Sequence, residues 1–440
     1  MYRDLTRGPI ARSLVLFALP MMAGNLLQQF YNIADTLIVG RALGTDALAA
    51  VGSAYTLMTF LTSILLGLSM GSGALFSIYR GRGDEASLRS AIAHAFGLIL
   101  LLTLALNAAV YAFLNPILLF LRVPATVWGG MREYLLVVFA GLVATSVYNY
   151  LACLLRALGN SAAPLVFLGV SALLNVGLDL LFVPVLGWGI AGAAWATLIA
   201  QYVSAAGMLV YVLAKCKSLL PKRSELHLNR SILGEIFRLS SLTCAQQSVM
   251  NFGILMVQGL VNSFGATVMA AFAAAVKIDT FAYLPVQDFG NAYSTFAAQN
   301  FGAKRIDRIR EGTRRAFLLS AGFGAALSIA VCALAAPLMR LFVDPGETAV
   351  VAAGVRYLRI EGALYAGIGC LFLFYGYFRA VQRPGVSVVL TAISLGTRVL
   401  LAYLLSALWG EVGVWLSIPI GWVLADLAGL WFMKARPLRV

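Results

Sequence analysis

Apolar residues run through this chain in long blocks, separated by short charged stretches. Residues 91–113, 135–155, 320–338 and 363–378 are typical blocks. They approach or reach the roughly 20 residues that a helix needs to cross a bilayer. A β-barrel would alternate apolar and polar positions over strands of about 10 residues, and these runs do not alternate. The pattern predicts spanning helices at 13–39, 47–77, 91–113, 131–153, 163–185, 190–214, 234–262, 266–297, 316–342, 351–378, 386–408 and 412–433. The expected fold class is an all-α integral membrane protein with twelve transmembrane helices.

The twelve spans divide into two similar sets of six. At a shift of about 221 residues, Gly44 falls on Gly265, Gly81 on Gly302, Arg89 on Arg310, and Pro116 and Pro124 on Pro337 and Pro345. With two residues added in the second copy, Tyr134 meets Tyr357 and Arg156 meets Arg379. An even number of spans per half makes the repeats parallel, related by an axis along the membrane normal, a usual plan for secondary transporters. The expected organisation is a first lobe over 1–214, a cytoplasmic linker over 215–233 around Pro221, and a second lobe over 234–440.

Composition agrees with a membrane protein: 61% hydrophobic and 11% charged residues, with a net charge of +14. The basic residues are not a polyanion-binding patch. Arg3, Arg7 and Arg12 precede the first span. Arg80, Arg82 and Arg89 follow the second, Arg156 the fourth, and Lys215, Lys217, Lys222, Arg223 and Arg230 the sixth. Lys304 to Arg315, then Arg379 and Arg383, then Lys434, Arg436 and Arg439 repeat the scheme, while alternate loops hold few charges such as Asp46 and Arg122. The positive-inside rule then places both termini and the linker in the cytoplasm, with no nucleic acid as partner. The five cysteines form no CxxC pair and read as thiols packed in the bilayer. No cleavage site of small residues follows the first apolar run, so the first helix is expected to direct insertion itself.

No GxxxxGK[ST] loop occurs, so nucleotide hydrolysis by this chain is not expected, and no ATPase subunit or cofactor is implied. Gly67, Gly71 and Gly73 lie in an apolar run and read as close helix packing. His94 and His227 cannot supply the two-histidine zinc motif of a membrane-embedded hydrolase. A channel would need a filter-like motif, which is missing.

Ionisable residues within spans are costly and mark function by default. In the first span Asn25, Gln28, Asn32 and Asp35 follow at steps of three, four and three. They form one polar face, flanked by Tyr31, and Pro20 makes a hinge plausible before it. Asn175 and Asp179 share a face of the fifth span, and Thr197 is a hydroxyl in the small-residue run of the sixth. Two carboxylates, an amide oxygen and a hydroxyl suit a hard cation. The same pair could hold a proton, because burial and a like charge both disfavour the ionised form. The second half departs from this set: Arg398 stands at the repeat place of Asn175. Gln247 and Asn251 lie on an uncharged polar face, and Lys277, Asp279, Tyr283 and Asp288 surround Pro285. Those residues read either as an ion-pair network or as a substrate-facing wall. Glu361 is expected to pair with Arg356 or Arg359 near the outer surface. Asp426 is discounted as lying near a cytoplasmic end.

At the stretch from Pro20 to Asp35, at the turn from Arg156 to Pro164, and from Lys277 to Asp288, the chain resembles the multidrug and toxic compound extrusion (MATE) family, in its DinF-related branch. The resemblance covers nearly the whole chain. It implies a monomeric twelve-helix antiporter of the cell membrane, with two six-helix lobes and a central cavity. Such a protein expels amphipathic, often cationic compounds against Na⁺ or H⁺. It further implies that Asp35, Asn175, Asp179 and Thr197 match an N-lobe cation site, that Gln28, Tyr31 and Asn149 match its polar surround, and that Pro20 matches the hinge. Gln247, Asn251, Asp279, Tyr283 and Asp288 remain candidate substrate contacts. A flippase or exporter of a lipid-linked or specialised metabolite is the alternative; acids without a clear basic residue in the first six spans favour cationic or neutral cargo.

Overall fold

The computed structural model describes residues 3–120, 123, 125–219, 229–344 and 346–438, and all its regular elements there are helical. Pro124, Pro345, Arg122, Pro221, Lys222, Arg223, His227 and Arg439, which entered the sequence reading, lie outside the described residues. The helices are α1 (Ile10–Leu43), α2 (Thr45–Arg82), α3 (Glu85–Ala112), α4 (Leu114–Phe120), α5 (Ala125–Val138), α6 (Gly141–Ala157), α7 (Ala162–Leu180), α8 (Gly189–Lys215), α9 (Arg230–Asn262), α10 (Ala266–Gly302), α11 (Ile306–Arg340), α12 (Thr348–Gly362), α13 (Tyr365–Ala380), α14 (Pro384–Trp409) and α15 (Glu411–Ala435). Among the described residues nine are long and apolar enough to span a membrane, and two bent pairs, α5 with α6 and α12 with α13, raise the number to eleven. The 33-residue α9 completes the expected twelve.

Local chemistry sets where helices begin. Asp84 caps α3, its carboxylate accepting from the Ser87 N–H at 3.0 Å; hydrogen bonding from Ser87 holds that carboxyl below its ordinary range. In the turn after α6, Asn160 Oδ1 accepts from the Ala163 N–H at 3.1 Å and so caps α7. Asn229 does the same for Ser231 and Ile232 at the start of α9. Gly44 and Gly265, equivalent in the two repeats, precede α2 and α10 with φ of 85° and 92°, a conformation glycine adopts without penalty.

Two departures from the expected spans fall at repeat-equivalent places. The fourth and tenth are each broken, bending by 48° between α5 and α6 and by 50° between α12 and α13, although neither break contains proline. A broken helix in a bilayer must find donors for its freed carbonyls. Asn107 Nδ2 donates to Phe139 O at 2.7 Å, Tyr202 Oη to Ala140 O at 3.0 Å, and Tyr111 Oη to Leu136 O at 2.8 Å. Cys332, the repeat equivalent of Tyr111, approaches Leu358 O and Arg359 O by weaker thiol contacts. The third span also differs between repeats: α3 stops before the short α4, which contains Pro116, whereas α11 continues through Pro337.

The chain forms two compact units. One comprises Met1–Arg3 and Ala23–Cys244, the other Asp4–Met22 and Ala245–Val440. The divisions fall inside α1 and α9, at repeat-equivalent places, and the one in α1 lies within three residues of Pro20. In the first unit the glycines of α2 abut α9: a Cβ on Gly67 would lie 2.5 Å from the Cα of Cys244, and one on Gly71 2.5 Å from the Cα of Ser240. Ser72 and Ser240 hydroxyls bond across this contact at 2.9 Å. Close packing, not phosphate binding, is therefore what these glycines serve. In the second unit Leu5 is fully buried. Its N–H donates to Gln299 Oε1 at 3.2 Å, and its carbonyl accepts from Asn300 Nδ2 at 3.1 Å. Arg308 donates to Arg7 O at 2.8 Å, so the arginine-rich start of the chain is also a packed segment.

Candidate functional site

The polar face of α1 and the polar positions of α7 and α8 meet in the first unit. Asp35 and Asp179 stand side by side. Asp179 is 0% exposed and Asn175 3% exposed. Asn175 Nδ2 donates to Thr197 Oγ1 at 3.4 Å, which leaves the amide oxygen facing inward. Asp35 Oδ1, both carboxylate oxygens of Asp179 and Asn175 Oδ1 are all buried without a protein donor. Buried oxygens of this kind are few in native proteins and need an explanation. Here four of them belong to one cluster that, among the described residues, holds two acids and no base.

Around this cluster Tyr31 lies against Gln28, Tyr55, Tyr148 and Asp35, and Asn32 Nδ2 donates to Tyr55 Oη at 3.5 Å. Asn149 is half-buried on α6 and, among the described residues, makes no hydrogen bond to the group. Sequence reasoning missed Tyr134 of α5, a buried residue whose hydroxyl faces Thr197, Asp35 and Asp179. The repeat carried a signal for it, because its mate Tyr357 does the equivalent work in the second unit.

There Tyr357 faces Glu361 and Asp279. Asp279 is 7% and Glu361 4% exposed, and both face Arg398. Tyr365 adjoins both acids. Asp279 Oδ1, Glu361 Oε2, Tyr365 Oη and Arg398 Nε lack protein partners. The expectation that Glu361 pairs with Arg356 or Arg359 is corrected: Arg356 binds Glu411 instead. The reason is helical geometry, since residues two and five apart do not share a helix face. Asp426 also needs correcting. It lies nine residues before the end of α15, about 14 Å along the helix, and its Oδ1 is buried without a donor.

The other second-half candidates are dispersed. Asp288 is buried and has a partner of its own. Tyr283 stacks on Phe372 with centroids 6.5 Å apart. Asn251 Nδ2 donates to the Gln247 carbonyl within α9.

A family model described as MatE matches residues 20–181 and again 242–404, once in each repeat. The chain belongs to the MATE family. Members of that family are transporters, not enzymes, and twelve helices in two lobes are their architecture. A Bacillus subtilis (strain 168) protein named "Probable multidrug resistance protein YpnP" is 30% identical over 98% of this chain and 96% of its own. A Shewanella oneidensis protein named "FAD transporter" is 24% identical over 96% of this chain and 94% of its own. Among solved structures, the outward-facing conformation of a multidrug resistance MATE family transporter of the MOP superfamily superposes with a TM-score of 0.93, at 22% identity, covering 98% of this chain and 97% of the other. A crystal structure of MATE in complex with MaL6 gives 0.90 at the same identity and coverage.

Proposed function

We propose that this MATE protein is a multidrug antiporter of the DinF-related branch. It exports amphipathic, often cationic small molecules through the cell membrane in exchange for Na⁺ or H⁺, with both termini in the cytoplasm and the monomer as working unit. The observation that carries the coupling reading is the Asp35/Asp179 pair, side by side and short of donors. In a low-dielectric interior two adjacent carboxylates repel and are poorly solvated. A cation held by Asp35, Asn175, Asp179 and Thr197, or a proton on the pair, relieves both costs. Relatives named for multidrug resistance support the cargo class.

Transport then follows from linkage. The coupling ion enters from outside and neutralises the pair, and α1 repacks by bending near Pro20, where the chain passes from one compact unit to the other. Ion and cargo need not touch. Each need only favour a different conformation, since a ligand shifts an equilibrium by its differential affinity alone. Arg398, at the repeat place of Asn175, gives the second unit a resident cation of its own, which favours the first unit as the coupling site. Purified protein is expected to bind a cationic dye more weakly as Na⁺ or acidity rises, measured by fluorescence polarisation. Affinity unchanged across both titrations contradicts the competition.

A further inference from the structure

The second unit holds a cavity of about 490 Å³ that the coupling site does not use. This is within the roughly 300–1,000 Å³ usual for small-molecule sites. Its floor is one face of α10, where Ala266, Ala270, Ala273 and Lys277 recur at helical spacing. Phe342 and Glu347 also line it. Lys277 lies eleven residues into α10, about 16 Å along the helix from its start. Its neighbours Ile278 and Asp279 are buried, while Lys277 itself is exposed to the cavity. Among the described residues it makes neither an ion pair nor a hydrogen bond, and Asp279 faces Glu361 and Arg398 instead.

A lysine inside a membrane span costs about 2.5–3.5 kcal/mol even in the more lenient insertion scales. Such a residue is ordinarily paired within the protein. Here the ammonium lines a cavity together with alanines and Phe342, and among the described residues it makes no ion pair. We propose that Lys277 is the anion-binding end of a cargo site for apolar, flat molecules that carry a carboxylate or similar monoanion. The apolar body lies along the alanines and Phe342, and the anion meets the ammonium. Glu347, which immediately precedes α12 and lines the same cavity, suits an amine at the cargo's other end, so a zwitterion can satisfy both groups. The inference rests on the reading of this chain as a small-molecule exporter, and it extends the cargo from cations to acid-bearing amphiphiles.

Matched probes test this: 1-pyrenebutyrate and N,N,N-trimethyl-1-pyrenebutylammonium share a ring system and differ in charge. Binding is measured by fluorescence polarisation to protein in phosphatidylcholine nanodiscs, without any ion gradient. The wild type is expected to bind the butyrate. Lys277→Gln should weaken butyrate binding about tenfold and change ammonium binding by less than about twofold, while Lys277→Arg restores the butyrate. Ala273→Phe, which fills the floor and leaves the lysine in place, should remove butyrate binding. Three results would each overturn the proposal: no butyrate binding by the wild type, equal binding by Lys277→Gln, or an equal fall for both probes. The measurement is separable from ion coupling. Export found to need no ion gradient would leave a Lys277-dependent affinity standing, and a failed binding test would leave coupling at Asp35 untouched.

Discussion

Tyr134 and Tyr357 occupy equivalent places in the two repeats, and each turns toward a pair of carboxyls. What differs is the residue opposite. Asn175 offers the first pair a neutral oxygen, whereas Arg398 offers the second pair a guanidinium. The two substitutions Asn175→Arg and Arg398→Asn are therefore not mild at either site. Removing Arg398 as Arg398→Met strands Asp279 and Glu361, and loss of one partner of a buried ionic group costs about 3 kcal/mol. A marked fall in the detergent melting temperature is expected for Arg398→Met, and its partial recovery in the double variant with Glu361→Gln. Independent, additive effects of the two changes would show that these residues do not interact. Asp35 and Asp179 were legible in the sequence because a carboxyl within an apolar run has few bland explanations. The cation that faces Glu361 was not, since proximity in sequence pointed to Arg356 and Arg359 while three-dimensional packing brings Arg398 toward it.

Helix positions follow hydropathy: the twelve expected spans agree with the helices to within ten residues, the largest difference falling at the charged start of α11, while the short α4 lies outside every expected span. The two breaks were not legible. Nothing in residues 139–140 or 363–364 forbids a continuous helix; the bend after α5 is held by Asn107 and Tyr202, which come from α3 and α8. Tertiary donors decide the matter, and a local reading does not see them. Close packing of α2 was legible through its glycines, although its partner α9 was not. It also makes a sharp prediction: a methyl group on Gly71 meets Ser240 Cα at 2.5 Å and Leu239 O at 2.6 Å, both backbone atoms that cannot swing aside. Gly71→Ala should cost about 1–3 kcal/mol, read as a lower melting temperature. Gly97→Ala, where the added carbon meets nothing within 4 Å, is the control. Equal stability of the two variants would mean that α2 and α9 are not in close contact.

At the scale of the whole molecule, the repeat organises the chain without making its halves interchangeable. Each repeat builds twin features: a glycine before its second span, a broken fourth span, and a polar nest behind a tyrosine. Divergence includes the third span, the donors at the broken fourth span, the occupants of the nests, and Lys277, which lines a cavity. The compact units divide inside α1 and α9, so those two helices belong to both units, and α1 carries Asp35, the proposed coupling acid, beyond the proline. This is a layout in which charge at Asp35 can alter how α1 is packed, which is the central claim. The direct measurement is efflux of a cationic dye from proteoliposomes holding wild-type or Asp35→Asn protein, with a Na⁺ gradient and a pH gradient imposed separately. The account predicts efflux driven by one of the gradients in the wild type and abolished in the variant, with the effective gradient naming the ion. Equal gradient-driven efflux by folded Asp35→Asn protein would contradict it.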